Sequence, residues 1–408
     1  MRKVGPNIRA SRFAVVVVAA ALAVAGTTVG AGVANGAARS GTDEPSAMTL
    51  AVYGDAPYGT SPTDNSQTLA TPAFVDAVNA DPDVSSIIHV GDIHSGSQFC
   101  TASYDETIAG LWSHYEDPLV YTPGDNEWSD CHKTNEGGHV SDSSGNPVDY
   151  ADGNPAANLG LVRSLFFPEP GRTLGGGGLH VQSQAQHADP AYPGDAAYVE
   201  NVMWSRKGVL FVTLNLPGGS NNDADPWYGA AETAQEKDQQ AAEVTARTGA
   251  DRRWLASAFD RAQSDGDRAM VIVEQADMWD PEKGAGHLTN YEPFVSDIAA
   301  GTTAFGKPVL LFNGDSHIYR SDNPLAAGSG CVTEASPKDP AHPTATMACP
   351  VDDATMHPGY DVPNFHRVVV HGSTFPLEWL KLTVHQASGQ TSDSTFGPFS
   401  WTREPQVG

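Results

Sequence analysis

Basic residues are scarce in this 408-residue chain. Its 23 Lys and Arg stand against 49 Asp and Glu, so the formal net charge is −26 at pH 7. A protein with this charge repels nucleic acids and anionic lipid surfaces, which argues against a nuclease. The same charge also favours solubility in a salty exterior.

Cysteine is also rare, and its spacing excludes two classes of site. The four cysteines form no CxxC pair, so neither a zinc knuckle nor a dithiol redox motif is expected. Four cysteines allow three pairings, and pairing of neighbours along the chain gives Cys100–Cys131 and Cys331–Cys349. Both pairs lie in loop-like regions, where an oxidising location would permit disulfides.

The first 38 residues are interpreted as a secretory signal peptide. Four basic residues precede a long apolar run of small and β-branched residues, and small residues around Ala37 and Ala38 suit a signal peptidase. An uncleaved membrane anchor is the alternative, because the run is long enough to span a bilayer. Cleavage would leave 19 basic against 49 acidic residues, a charge of −30. The protein is then expected outside the cell with no stable membrane span, and residues 39–47 read as a linker.

Strands and helices are predicted to alternate after the linker. Internal repeats and coiled-coil heptads are absent. Strand patterns occupy 48–55, 84–92, 119–125, 267–277, 306–317, 364–373 and 377–385, with a hairpin over 199–218. Helical patterns occupy 66–80, 103–118, 158–167 and 230–266, the last with a break at Gly249. This alternation is typical of an α/β fold with a largely parallel sheet.

Two stretches do not follow the alternation. Residues 133–195 are rich in Gly, Asn, Asp and Ser, and are interpreted as a loop-rich insertion over one face. Residues 386–408 are interpreted as a C-terminal tail, so the domain is predicted to cover 48–385.

Several predicted strands end in polar clusters that contain an acid. These clusters are "YGDAPYG", "VGDIHSG", "PGDNEW", "EQAD" and "NGDSH". The C-terminal ends of parallel strands share one edge of a sheet, so the clusters should converge. Converging carboxylates repel one another unless a cation lies between them. One Gly-Asp pair is an ordinary turn signal, but five clusters in this order favour a metal site.

The order of these clusters resembles the calcineurin-like metallophosphoesterase superfamily, in a secreted bacterial branch that carries GDNEW and altered metal ligands. The resemblance covers about residues 48–385. It implies a single catalytic domain, with a β-sandwich flanked by helices in αββα layers. It also implies hydrolysis of a phosphate ester by a metal-activated water.

The resemblance assigns metal ligands residue by residue. Asp55 matches the aspartate of the first motif, but Pro57 replaces its histidine. Asp92 matches the aspartate that bridges two metals. Asp125 lies at the family's metal-binding Asn and Asn126 at its catalytic His, although a slip of one residue would make Asn126 the ligand.

The later motifs are also substituted. Gln275, or alternatively Glu274, lies where a histidine ligand follows a strand. Asp315 replaces the first histidine of the last motif, and His317 keeps the second. This oxygen-rich set favours Mn²⁺, Mg²⁺ or Ca²⁺ over Zn²⁺, with Fe also compatible. One or two ions are compatible with it.

Further residues near the same edge have two interpretations each. His94 could replace the missing catalytic histidine or be a loop residue bonded to backbone. Arg320 could bind a substrate phosphate or pair with Asp322. Asn222 could reach the crevice or belong to a plain turn.

Two residues close to GDNEW have supporting roles in this interpretation. Glu127 is expected to accept hydrogen bonds behind the ligands. The Cys100–Cys131 disulfide would brace the ligand loops on either side of it. A purple-acid-phosphatase-like site is not favoured, because it needs a tyrosine shortly after the bridging aspartate and "GDIHSGSQF" contains none.

Two functions remain open at the level of sequence. The first is a secreted metal-dependent phosphoesterase that acts on a small phosphate ester. The second is a non-catalytic exported protein with the same fold that binds a cation or ligand. Neither the substrate nor the oligomeric state can be named from the residues.

Overall fold

The computed structural model describes residues 47–222, 226–229, 232–336, 339, 341–389 and 391–406. The predicted signal peptide and most of the predicted linker lie outside these residues. Among the described residues, no helix combines the length and apolar character that a bilayer-spanning segment requires.

Two β-sheets contain the strands of the described chain. In chain order the strands are β1 Met48–Tyr53, β2 Val84–His89, β3 Pro118–Tyr121, β4 Leu174–Gly175, β5 Gln182–Ser183, β6 Val202–Arg206, β7 Val209–Thr213, β8 Ala269–Val273, β9 Val309–Asn313, β10 Arg320–Asp322, β11 Cys331–Glu334, β12 Thr346–Ala348, β13 Phe365–Val369, β14 Glu378–Val384, β15 Thr395–Phe396 and β16 Phe399–Pro405. The first sheet has the order β15-β16-β14-β1-β2-β3-β4, and the second β12-β11-β10-β13-β9-β8-β7-β6-β5. The strands β1, β2 and β3 are parallel, as are β7, β8, β9 and β13.

The helices of the described chain are α1 Ser66–Asn79, α2 Ala102–Trp112, α3 Pro155–Phe166, α4 Gln184–His187, α5 Gly218–Asn222, α6 Ala234–Ser264, α7 Ala285–Leu288 and α8 Glu292–Phe305. Five of them pack on the outer faces of the sheets, α1, α2 and α3 on the first sheet and α6 and α8 on the second. Short 3-10 turns lie at Asp130–His132, Thr134–Glu136, Tyr150–Gly153, Pro193–Ala197, Thr289–Tyr291 and Asp353–Thr355.

The alternation of side chains along each strand produces three apolar layers. In β1, Leu50 and Val52 join the core between the sheets, whereas Ala51 and Tyr53 pack with α1, α2 and α3. In β7 the inner side chains include Phe211, and the outer ones pack with α6 and α8. Both strands are buried on both faces, as expected for parallel strands between layers. The predicted αββα arrangement in a single α/β domain is therefore confirmed.

Three predicted element boundaries were wrong. The helix α6 continues through Gly249 without a break, because its N-terminus has a complete capping box and its apolar side packs on the second sheet. The helix α2 ends at Trp112, six residues before the predicted end at 118. Residues 386–408, predicted to be a tail, contain β16, which pairs with β14 over its full length.

Candidate metal centre

The loops that follow β1, β2 and β3 meet the loops that follow β8 and β9. Asp55 and Asp92 follow the first two strands, and Asp125 follows the third. Gln275 follows β8, and Asp315 follows β9 with His317 two residues later. The sequence placed all of these side chains at strand ends.

Direct contacts join the predicted ligands into one network. Asp55 Oδ1 accepts from the Asp315 backbone N–H at 2.9 Å and lies 3.6 Å from His317 Nε2. Asp92 Oδ2 lies 3.2 Å from Gln275 Nε2, which also donates to Asp125 Oδ1 at 3.0 Å. The structure therefore brings the predicted ligands of both sheets together.

The backbone at this network is strained. The φ angles are 49° at Asp55, 59° at Asp92, 71° at Asp315 and 61° at His317. Residues other than glycine rarely adopt this left-handed backbone conformation, and each one that does costs on the order of 1–3 kcal/mol of folding free energy. Strain that recurs at four contacting residues indicates that the loops are held in shape for a function.

The glycines of the Gly-Asp pairs explain why this dipeptide recurs. A Cβ at Gly124 would overlap Asp92 Oδ1, and a Cβ at Gly314 would overlap Asp55 Oδ2. Each glycine thus leaves room for the carboxylate of a different loop. The Gly-Asp pairs therefore form turns and also allow neighbouring loops to pack closely against one another.

Burial strongly perturbs the titration of these carboxyl groups. Burial is the main cause that raises the pKa of Asp55, Asp92 and Asp315 well above the usual range, and the neighbouring acids add to it. Burial, with Asp130 nearby, raises the pKa of Asp125 to about 7. Burial also lowers the pKa of His317 to about 4, which favours the neutral imidazole that binds metals.

Asp55, Asp92 and His317 fit a divalent cation. In the described part of the chain, one oxygen or nitrogen from each of the three lies within 4.8 Å of the others. Asp55 Oδ2 is buried and has no hydrogen-bond partner, so it has a lone pair available for an ion. Two carboxylates and one imidazole suit Mn²⁺, Fe²⁺ or Zn²⁺, while the surrounding oxygen-rich side chains also suit Mg²⁺.

Two predicted ligands present nitrogen, not oxygen, to the carboxylates. Asn126 Nδ2 donates to Asp92 Oδ2 at 3.1 Å, and Gln275 Nε2 bridges Asp92 and Asp125. The Gln275 oxygen accepts from the Gly218 backbone N–H at 2.5 Å. These amides reduce the repulsion between the carboxylates without adding charge, and a ligand role for either oxygen stays a prediction. The alternative ligand, Glu274, is fully buried, and neither of its carboxylate oxygens has a hydrogen-bond partner.

Tyr58 belongs to the network, and the sequence analysis missed it. Its hydroxyl donates to Asp92 Oδ2 at 2.6 Å, lies 3.2 Å from His317 Nε2 and accepts from Asn126 Nδ2 at 2.9 Å. The stretch after Asp92, where a purple-acid-phosphatase-like site would carry its tyrosine, contains none. The first cluster, "GDAPYG", contained the signal, because Tyr58 lies three residues after Asp55.

His94 contacts a different part of the loops. Its Nδ1 lies 3.2 Å from the Ser95 carbonyl oxygen, and its ring packs edge-on against Tyr104. A ring nitrogen lies within 4.8 Å of the sulfurs of Cys100 and Cys131. Burial lowers the pKa of His94 to about 4. These contacts match the backbone-bonded alternative and give no support to the catalytic one.

The residues behind GDNEW hold the ligand loops. Glu127 Oε1 accepts from the backbone N–H groups of Gly124 at 2.7 Å and Asp92 at 3.3 Å, and also from the Tyr121 hydroxyl. One carboxylate therefore connects two ligand loops to β3. This is the accepting role expected for Glu127.

The two predicted disulfides are present. Cys100 pairs with Cys131, and Cys331 pairs with Cys349. The Asn126 carbonyl oxygen lies 3.3 Å from the Cys100 sulfur and 3.4 Å from the Cys131 sulfur. The first disulfide therefore packs directly against the GDNEW loop.

Arg320 and Asn222 have internal partners. Arg320 Nη1 donates to Asp353 Oδ2 at 2.6 Å, whereas one of its two interpretations had given Asp322 as the partner. Asn222 Oδ1 accepts from the Trp227 indole N–H at 2.8 Å. Asn222 ends a left-handed turn that begins at Gly218, where a Cβ would overlap Asp125 Oδ2. The turn reaches the site, while the Asn222 side chain contacts Trp227.

Comparisons with known proteins gave matches among solved structures only. A scan against protein-family models found no match, and a search of curated proteins found none. A dimetal phosphatase from Danio rerio is 11% identical, with a TM-score of 0.44 over 88% of this chain and 99% of that one. The PhoD structure is 10% identical, with a TM-score of 0.41 over 84% of this chain and 64% of that one. The purple acid phosphatase from yellow lupin seeds is 11% identical, with a TM-score of 0.38 over 84% and 50%.

Proposed function

We propose that this chain is a secreted, metal-dependent phosphoesterase that hydrolyses a small phosphate ester. One observation carries the proposal: Asp55, Asp92 and His317 converge in a buried, strained network whose hydrogen-bond donors are neutral groups. Burying carboxylates of this kind in their charged form is costly unless a positive partner is present. A bound cation supplies it.

Asp55, Asp92 and His317 would hold the cation, and Asp125 and Asp315 lie next to it. When bound, a divalent cation supplies an activated water and offsets negative charge on the phosphoryl group. The amides of Asn126 and Gln275 keep the carboxylates of Asp92 and Asp125 in place. This arrangement favours one tightly held ion, with a second site formed only if the Gln275 amide turns.

Tyr58 and Asn126 are the polar groups that remain to contact a substrate. The Tyr58 hydroxyl lies between Asp92 and His317, and Asn126 Nδ2 donates to that hydroxyl. Either can donate a hydrogen bond to a phosphoryl oxygen that enters beside His317 by giving up one of its present acceptors, Asp92 for Tyr58 and Asp92 or Tyr58 for Asn126. Hydrogen bonds of this kind stabilise charge that develops in the transition state. In this proposal Tyr58 takes the role that the sequence had offered to His94.

The charge of the protein supports a small substrate, and its disulfides support secretion. A net charge of −26 disfavours nucleic acid substrates, so a small ester is the better fit. Two disulfides in one chain are typical of exported proteins.

A non-catalytic, cation-binding protein is the second candidate. The observation that favours it is the position of His94, which leaves no second imidazole among the described contacts of the ligand network. Such a protein would bind the same metal in the same place. It would differ in turnover alone.

The test combines metal analysis with two chromogenic esters. The chain from residue 39 onward would be purified, its metal content measured, and hydrolysis of p-nitrophenyl phosphate and bis-p-nitrophenyl phosphate followed with added Mn²⁺ or Mg²⁺. We expect about one ion per chain and turnover of at least one ester, both lost in Asp92→Asn. Metal without turnover of either ester would support the cation-binding alternative. A folded protein with neither metal nor turnover would overturn both.

A further inference from the structure

A pocket of about 410 Å³ opens beside the candidate metal centre. Its lining includes Ser316, which lies between the network residues Asp315 and His317, and Ile318 directly after them. The segment from Asp315 to Ile318 is half-buried, whereas Asp55 and Asp92 are fully buried. The pocket therefore borders the half-buried segment that carries Asp315 and His317, through Ser316 and Ile318.

The outer wall of the pocket is apolar. Met347 and Val351 line it, and they are 44% and 41% exposed, two of the large exposed hydrophobic side chains in the described chain. Pro281, Pro350 and Ile318 extend the same wall. Exposed apolar side chains that line one concave surface next to a reactive site are typical of a ligand pocket, and about 300–1,000 Å³ is the usual volume.

Among the described residues, the positive groups at this pocket are already paired with carboxylates. Arg320 is paired with Asp353 at 2.6 Å, and Glu334 with His371 at 2.9 Å and Arg403 at 3.2 Å. Asp280 and Glu282 add negative charge at the edge. A group that enters this pocket should therefore carry no anionic charge of its own.

The second disulfide stabilises this wall. Cys331 and Cys349 join β11 to the end of β12, and Thr333 and Met347 are cross-strand partners between them. Both of these side chains line the pocket. A short edge strand such as β12 would otherwise be held by few contacts, so the disulfide keeps the apolar wall in position.

We propose that this pocket binds the alcohol part of the phosphate ester, and that the preferred esters carry an uncharged, apolar or aromatic alcohol group. The inference rests on the proposed function for the position of the phosphate at the metal centre. The ester would place its phosphate beside His317 and its alcohol group against Ile318, Met347 and Val351. Esters with a further phosphate on the alcohol side are excluded by the acidic edge.

Binding of non-hydrolysable phosphonates tests the pocket without any turnover. The affinities of 1-naphthylmethylphosphonate and methylphosphonate would be measured by calorimetry on the Mn²⁺-loaded protein. We expect the naphthyl compound to bind at least about tenfold more tightly, because its rings leave water for an apolar wall. In Met347→Glu and Val351→Glu this preference should fall below about threefold.

Leu69→Glu is the matched control. Leu69 is also an exposed apolar residue, 71% accessible on α1, but it does not line the pocket. The control should keep the full preference, and thermal unfolding would verify that all three variants are folded. Equal affinities in the wild type, absence of binding, or an unchanged preference in both pocket variants would each overturn the inference.

The outcome also separates this inference from the proposed function. A naphthyl preference without hydrolysis of 1-naphthyl phosphate would uphold the pocket and contradict the phosphoesterase. Hydrolysis of methyl and naphthyl phosphate with equal kcat/KM, together with equal phosphonate affinities, would uphold the phosphoesterase and contradict the pocket.

Discussion

Two groups of buried or half-buried aspartates lie side by side in this molecule, and different partners stabilise them. The metal-site cluster contains Asp55, Asp92, Asp125 and Asp315. The arginine-bound cluster contains Asp277, Asp322 and Asp353. They touch where the Asp277 backbone N–H donates to Asp315 Oδ2 at 3.1 Å.

The arginine-bound cluster has its positive charge within the chain. Arg367 is fully buried and donates to Asp277 at 2.6 Å and to Asp322 and Asp353 at 2.7 Å each. The described contacts of the metal-site cluster are with neutral hydroxyl and amide groups and with His317. Because buried carboxylates are costly without compensation, the proposed function assigns the metal-site cluster a cation from solution.

The largest effect is expected from a change within the metal-site cluster. Asp92→Asn keeps the size of the side chain and removes the charge that contacts Tyr58, Asn126 and Gln275. We expect turnover to fall by at least about 10³-fold, or about 4 kcal/mol of transition-state stabilisation, together with loss of bound metal. Asp105→Asn, a buried carboxyl on α2, is the matched control and should keep both. Full metal content in Asp92→Asn would contradict the assignment.

Removal of the arginine should affect folding instead of metal binding. Arg367→Met leaves Asp277, Asp322 and Asp353 without their shared partner. We expect the free energy of unfolding in urea to fall by about 3–5 kcal/mol, because the buried Asp277 and Asp322 lose their cation while Asp353 keeps Arg320. Added Mn²⁺ should not restore the difference. A loss below about 1 kcal/mol would mean that Arg367 does not stabilise the carboxylates of the arginine-bound cluster.

Chelation should destabilise the wild type through the metal-site cluster alone. At a free metal concentration of 100 Kd, binding to the native state adds about 2.7 kcal/mol to the free energy of unfolding. Thermal unfolding with EDTA and with excess Mn²⁺ would measure this difference. The metal-dependent shift should vanish in Asp92→Asn, and a shift of the same size there would place the ion elsewhere.

Replacement of Tyr58 tests whether a neutral hydrogen-bond donor of the metal-site cluster contributes to turnover. In Tyr58→Phe we expect kcat to fall about 10–100-fold, since one hydrogen-bond donor near the phosphoryl group is lost. Metal content should be unchanged. Tyr104→Phe is the control, because the Tyr104 hydroxyl binds the carbonyl oxygens of Pro57 and Ile93 and lies outside the ligand network. Equal losses in the two variants would assign Tyr58 a purely structural role.

The smallest effect concerns the disulfide behind GDNEW. Replacing Cys100 and Cys131 together by serine should weaken metal binding about tenfold, because the Asn126 backbone loses the sulfurs that pack against it. The same replacement of Cys331 and Cys349 should leave metal affinity unchanged. Calorimetric titration of Mn²⁺ would compare the two, and equal affinities would show that the disulfide does not hold the site.

The elements that could be predicted are those that depend on short-range patterns. The strands before Asp55, Asp92 and Asp315 were identified because their apolar runs end at Gly-Asp turns, and parallel strands bring such ends together. Cys100–Cys131 followed from proximity along the chain. Repetition of one local signal was therefore enough to locate the ligand network.

Contacts that depend on distant partners could not be predicted. Arg320 binds Asp353, 33 residues away, whereas the sequence offered only the nearer Asp322 or a substrate phosphate as its partner. The strand β16 exists because β14 offers it an edge, and its sequence alone resembles a tail. Tyr58 enters the network only because the loop after β1 turns back over Asp92.

The interlocked glycines limit how this site can change during evolution or engineering. Because Gly124 makes room for Asp92 and Gly314 makes room for Asp55, no ligand loop can accept a side chain at its glycine unless a neighbouring loop moves as well. Single substitutions at these glycines should therefore be rejected even where the new residue suits a turn. A different metal preference is more accessible through substitution of the ligand side chains. This chain differs from the resembled family at those positions, because it has aspartate, asparagine and glutamine where that family has imidazole or amide ligands.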